Sequence, residues 1–236
     1  MSMAKPICIL LASVGLHCTF TPPSTATKGE QLPIVTFWDR YMSLTTSVIQ
    51  PRKMIMCAVG MAEVAAIVAY HSPSSPLSKA VLSILLPRNN PQDLRLTSLS
   101  AIGTLLIMSG ALIRKCCYRA MHRFFTFELT IQKGHELITT GPYGVVRHPS
   151  YSGITAVYLG IFCLYGSCGS WVRESGVLDT IGGRVALGFF AAMEVVVLAG
   201  LLRRMSSEDM ALKKNFGEAW GRWAHNVPYS LIPWVY

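Results

Sequence analysis

Four apolar runs, each bounded by charge or by proline and glycine, set the pattern of the chain. They are Met54 to Tyr70, Leu94 to Ile113, Gly153 to about Cys168, and Val185 to Leu202. Each comes near the roughly 20 residues that a helix needs to cross a bilayer. A fifth run, Ile7 to Leu16, is short and follows Lys5. It reads as a signal peptide or as an anchored first helix, and the lack of a clear small-residue cleavage site at its end favours the helix. Between this short run and the run that starts at Met54, "TPPSTATKGE" is a loop. The semi-amphipathic stretch after it, through Phe37, Trp38 and Tyr41, suits a helix lying in the membrane interface. "HSPSSPLSK" and "LPRNNPQD" punctuate the connection to the next run. The pattern predicts an all-α, polytopic integral membrane protein with about five transmembrane helices.

Composition agrees with this. Of 236 residues, 51% are hydrophobic and 14% charged, well under the roughly 25% charge of soluble domains. The net charge of +9 does not indicate nucleic acid. The basic residues gather at the ends of apolar runs, as in "IRKCCYRAMHR" and "LLRRM", and form no aromatic-basic face. Seven cysteines include no CxxC pair, and no histidine stands at zinc-finger spacing from another ligand. They read as reduced thiols packed as small hydrophobes, with no metal site.

Charge placement predicts the topology. Arg114, Lys115, Arg119, Arg123, Lys133 and Arg147 fill the central connection, and Arg203, Arg204, Lys213, Lys214 and Arg222 fill the C-terminal tail. Lys79, Arg88 and Arg173 are nearly alone in the other loops. By the positive-inside rule the central connection and the tail are both cytoplasmic. Two acids, Glu63 and Glu194, lie inside apolar runs. A carboxylate there is either a functional group or a tie between helices.

The central connection ends in a polar knot, "ITTGPYGVVRHPSYSG", Ile138 to Gly153. Gly141-Pro142 predicts a tight turn, since glycine tolerates unusual dihedrals and proline fixes its own. His148 precedes Pro149 and is pushed toward extended geometry, while Pro149 suits the first turn of the next helix. Arg147 and His148 are thereby held at a helix mouth whose dipole receives polar ligand atoms. In the tail, Arg204 and Glu208 stand four apart on one helical face. "FGEAW" breaks that helix at Gly217, before the aromatic end with Trp220, Trp223, Tyr229 and Trp234. A juxtamembrane loop with a tyrosine belt, and a solvated helix face with one ion pair, would also account for these features.

Together, "HELITTGPYGVVRHPSYSG" and the later "R-x-x-x-E-D-x-x-L-x-x-x-F-G-x-x-W" resemble the isoprenylcysteine carboxyl methyltransferases, within a wider group that includes the phospholipid methyltransferases. The likeness covers roughly Phe124 to Tyr236. It implies N-terminal membrane helices over 1–123 and a methyltransferase region over 124–236, with a cytosolic cofactor pocket closed by the tail. It implies methyl transfer from S-adenosyl-L-methionine to the C-terminal carboxylate of a prenylated cysteine in CaaX-processed proteins. It also implies residence in the endoplasmic reticulum membrane. His135, Glu136, Leu137, Ile138, Tyr143, His148, Pro149, Ser150, Tyr151 and Glu208 match cofactor-binding positions, with Thr130 a further one upstream. Arg204 matches the residue that addresses the substrate carboxylate; Arg147 is the second catalytic candidate, placed either to bind lipid phosphate or to brace the pocket. Asp209 replaces the second glutamate of the family's usual pair, and Ala219 stands at an acid position.

Three other readings remain open at this stage. A phospholipid N-methyltransferase would need its amine deprotonated and matches Arg204 poorly. The "RHP" block and "VPYSLIPWVY" also resemble NADPH-dependent membrane sterol reductases, which are larger. A non-catalytic scaffold leaves unexplained why polar residues of two distant segments converge.

Overall fold

A computed structural model of the chain describes residues 3–23, 37–87, 91–127 and 134–235, with side chains in the second segment described from 49 on. Among the described residues the chain is all-helical, without strands. Eight α-helices follow one another: α1 Ala4–Phe20, α2 Phe37–Tyr70, α3 Pro76–Leu85, α4 Ser98–Met121, α5 Pro149–Gly166, α6 Trp171–Glu174, α7 Ile181–Phe216 and α8 Glu218–Asn226. Four segments, Ile49–Tyr70, Ser98–Phe124, Pro149–Glu174 and Ile181–Phe216, are long and apolar enough to cross a membrane. They cover the four long runs of the sequence with shifted limits: the first starts earlier, at Ile49, the second runs from Ser98 rather than Leu94 and on to Phe124, and the last two extend beyond their runs at both ends. The fifth run forms α1, which at 17 residues is shorter.

The interfacial helix expected around Phe37 is not a separate element. Residues 37–50 continue through Pro51 into α2, because a proline costs a helix one hydrogen bond and bends it without necessarily ending it. The preceding loop lies largely outside the described residues.

The chain divides into two compact units. The first comprises Met1–His17, Pro51–Ser109 and Ala156–Glu194. Here Ile9, Ala12 and Leu16 of α1 and Ala66 and Ile67 of α2 are fully buried, so α1 is packed as part of the unit. Gly103 of α4 and Gly160 of α5 meet backbone to backbone; a Cβ on Gly160 would stand 2.6 Å from the Gly103 carbonyl oxygen. Small residues at such crossings let membrane helices approach closely.

Both intramembrane acids in this unit are paired. Glu63 meets Lys5 and accepts the Trp171 N–H at 3.1 Å. Glu194 accepts Arg52 Nε at 2.9 Å, and Arg52 Nη2 reaches both Glu194 and the Tyr158 hydroxyl, the latter at 2.7 Å. Glu63 and Glu194 are the helix ties that the sequence left as one of two possibilities.

The second unit comprises Cys18–Gln50, Gly110–Thr155 and Val195–Tyr236. Its core joins Cys117, Phe125, Tyr143, Trp223 and Val227, with Leu137, Ile138 and Trp220 packed against them. The Trp223 indole N–H donates to the Tyr143 carbonyl at 3.1 Å, tying α8 to the knot. Gly153 sits where a Cβ would be 2.8 Å from the Gly110 carbonyl oxygen and 2.9 Å from Arg114 Cγ. The first turn of α5 therefore lies directly on the end of α4.

Candidate active site

The knot folds as its dihedral constraints require. Gly141 takes a positive φ of 63° in a 3-10 turn over Gly141–Gly144, and Pro149 opens α5. Arg147 and His148, just before that helix, are caught by the tail: Arg147 N donates to Tyr229 O and His148 N to Ser230 O, both at 2.9 Å. Ser152 Oγ adds a bond to Leu231 O at 2.5 Å.

Around this seam, side chains of the knot meet those of α7. The Tyr151 hydroxyl donates to Glu208 Oε1 at 2.8 Å, and Arg204 Nε lies 3.4 Å from the same oxygen. His148 donates from Nε2 to Asp209 Oδ1 at 3.0 Å, with Nδ1 3.5 Å from Glu208 Oε2. Arg204 is 6% exposed and also donates Nη1 to Phe127 O at 2.8 Å, so its plane is set from two sides. Burial alone would lower the pKa of His148. Its hydrogen bonds and proximity to Asp209 and Glu208 outweigh that and raise it to about 9. The histidine therefore carries its proton at pH 7.

Arg147 turns to the tail. It donates Nη1 to Pro228 O at 2.7 Å and Val227 O at 3.3 Å, and Nη2 to Ser230 Oγ at 2.7 Å. Its Nε lies 3.5 Å from Asp209. This geometry makes it a clamp on the tail.

The remaining sequence-derived positions divide. His135 stacks between Phe124 at 4.8 Å and Phe216 at 5.9 Å, and its buried Nδ1 has no hydrogen-bond partner among the described residues. Burial lowers its pKa, leaving it neutral. Leu137 and Ile138 pack on the Tyr143 core cluster, and Tyr143 is 9% exposed with its hydroxyl donating to Met121 Sδ at 2.9 Å. Ser150 Oγ accepts from Arg114 Nη1 at 2.8 Å. Glu136 is exposed, and Thr130 lies outside the described residues. The structure thus gathers Arg147, His148, Tyr151, Arg204 and Glu208 around one focus, with Ser150 on the adjoining turn.

Two contributors escaped the sequence reading. Asp209 looked like a shortened copy of a glutamate, yet it is the main partner of His148 and touches Arg147. Arg114 looked like one of several cations ending an apolar run. Only burial, at 7% exposure, separates it from Lys115 and Arg119.

Residues 99–173, from α4 through the knot into α6, match a family model described as phospholipid methyltransferase. The chain is 31% identical over 139 residues to protein-S-isoprenylcysteine O-methyltransferase B of Arabidopsis thaliana, which covers 58% of this chain and 60% of that one. It is 28% identical over 143 residues to protein-S-isoprenylcysteine O-methyltransferase of Xenopus laevis, 60% of this chain and 43% of the other. By sequence, the chain is thus similar to proteins named protein-S-isoprenylcysteine O-methyltransferase. It spans less than two thirds of the length of these relatives. A shorter likeness, 27% over 103 residues, reaches the Delta(14)-sterol reductase of Mus musculus but covers only 20% of it. No solved structure matches the chain.

Proposed function

We propose that this protein methylates the C-terminal carboxylate of a prenylated cysteine in CaaX-processed proteins, using S-adenosyl-L-methionine. We place it in the endoplasmic reticulum membrane with residues 124–236 forming a cytosol-facing catalytic region. The observation that carries the reading is the convergence of Arg204 and Glu208 on α7 with His148 and Tyr151 at the mouth of α5. The curated relatives named for this activity lend it a chemistry.

The residues present suit the cofactor. A sulfonium cation favours carboxylates and aromatic faces, which Glu208, Tyr151 and Tyr143 supply. His135 Nδ1 and Trp220 Nε1 are buried without hydrogen-bond partners among the described residues, as expected of groups that await the polar edge of a nucleoside. When bound, the cofactor supplies an electrophilic methyl group.

The chain's own part is positioning and charge. A carboxylate substrate is already ionised at neutral pH, its ordinary pKa being about 4, so no general base is needed. His148 fits that requirement, because as an imidazolium engaged with two carboxylates it has no capacity to take a proton. The same state disfavours the phospholipid N-methyltransferase alternative, whose amine must first lose one. Arg204 is rigidly held and offers the planar fork that orients a carboxylate. Arg147, His148 and Arg204 set three cations against the two acids Glu208 and Asp209, a balance that favours an anionic substrate. A prenyl chain suits a protein whose helices are embedded in lipid, since exposing it to water costs roughly 25 cal/mol per Å².

The test uses purified protein in lipid with labelled S-adenosylmethionine and N-acetyl-S-farnesylcysteine. Base-labile methyl ester is expected. Its absence from a folded preparation sinks the reading; label on phosphatidylethanolamine, or NADPH oxidation with a sterol, would replace it by one of the alternatives. Arg204→Ala is expected to raise KM for the carboxylate substrate on the order of tenfold to a hundredfold. Glu208→Ala is expected to weaken the cofactor by a similar factor.

A further inference from the structure

Four Lys or Arg side chains are buried among the described residues: Lys5, Arg52, Arg114 and Arg204. Three of them meet a carboxylate, as Lys5–Glu63, Arg52–Glu194 and Arg204–Glu208. Arg114 meets none among the described residues. Its polar contacts are all neutral: Nη1 donates to Ser150 Oγ at 2.8 Å and Ser150 O at 3.3 Å. Nε donates to the Tyr118 hydroxyl at 3.1 Å and Thr19 O at 3.3 Å. The guanidinium carbon lies 5.3 Å from the Tyr118 ring, 5.8 Å from Phe125 and 5.3 Å from Phe127. No hydrogen bond from Nη2 is found among the described residues.

Aromatic faces and carbonyl dipoles orient a cation but do not neutralise it, and a buried charge without a counter-ion is expensive. The surroundings add to the imbalance. Ser150 is the second residue of α5, whose N-terminal amides place positive partial charge beside the guanidinium. A molecule that neutralises its other buried Lys and Arg side chains leaves this one facing the first turn that also carries Tyr151.

We propose that Arg114, through its Nη2 and with Ser150 beside it, binds a ligand carboxylate. This rests on the function proposed above. Two carboxylates are then available: the amino-acid end of the cofactor and the terminal carboxylate of the prenylated substrate. Both suit the planar fork of an arginine. In either case Arg114 complements Arg204, which is held by Glu208 on α7.

The test titrates full-length protein in lipid nanodiscs by calorimetry with two ligand pairs. The first is S-adenosylhomocysteine against 5′-methylthioadenosine, which lacks the amino-acid end. The second is N-acetyl-S-farnesylcysteine against its carboxamide. Wild type is expected to prefer the carboxylate member of one pair by about tenfold or more. Which pair it is names the source. Arg114→Gln is expected to bring that ratio to within about twofold of unity, a change that a strut holding Ser150 would not produce selectively. Arg114→Lys keeps the charge without the fork and is expected to cut the ratio at least about threefold, so a poorly folding glutamine variant leaves the proposal open to refutation. Ratios unchanged in both variants overturn the proposal alone, as does a wild type without preference in either pair. A wild type that binds none of the four compounds overturns the functional reading together with it.

Discussion

His148 ties the knot to α7 through its charge. Its folded pKa of about 9 stands above the ordinary value near 6.5. A group raised on folding adds stability that is fully present below its unfolded pKa and is lost as pH rises through the folded one. The melting temperature of the purified protein should therefore fall by several degrees between pH 7 and about 9.5. His148→Asn should melt lower at pH 7 and lose that part of the slope. Parallel melting curves for the two proteins across the range would show that the imidazolium is not the tie. The sequence marked His148 as a helix-mouth residue because Pro149 follows it. That it is charged depends on Glu208 and Asp209, some 60 positions away, and on burial that squeezes out water. Periodicity carries no such information.

At the scale of elements, the membrane runs were readable because lipid demands long uninterrupted apolar helices. Their contacts were not, because a glycine in such a run looks the same whether it faces lipid or a neighbouring backbone. Gly160 and Gly188 make the contrast. A Cβ at Gly160 meets the Gly103 carbonyl oxygen at 2.6 Å and the Ile107 nitrogen at 2.9 Å, whereas one at Gly188 meets nothing within 4 Å. Backbone atoms cannot rotate away as side chains do, so Gly160→Leu must separate α4 from α5 at that crossing. The cost is about 1–3 kcal/mol or more, and Gly188→Leu should be nearly neutral. Melting of the two variants in the same detergent decides this; equal stability would mean that the crossing is looser than the glycines indicate. The limits of α2 were misread for a related reason. The stretch around Phe37 read as a separate interfacial helix, but a long helix with packing along its length absorbs the hydrogen bond missing at Pro51.

Across the whole molecule, charge inside apolar surroundings marks what the fold had to solve. The sequence singled out Glu63 and Glu194 because a carboxylate in such a run demands an explanation. It could not name Lys5 and Arg52 as their partners, since those stand far away in the chain and read as markers at the ends of apolar runs. Lys5 is the more informative case, because it makes α1 part of the first unit. Glu63, 2% exposed, takes Lys5 on one side and the Trp171 N–H on the other, and Lys5 also donates to the Gly169 carbonyl. Removing one partner of a buried pair leaves the other charge stranded, at a cost of about 3–5 kcal/mol. Lys5→Met should therefore destabilise the protein strongly and lower its yield from membranes. Lys5→Met combined with Glu63→Gln should recover most of the loss, because the amide oxygen still accepts from Trp171 while no charge remains. Two melting curves and a protease-resistance assay in detergent make the comparison. A double variant no more stable than Lys5→Met would mean that the hydrogen bonds of Lys5, rather than charge compensation, hold α1 in place.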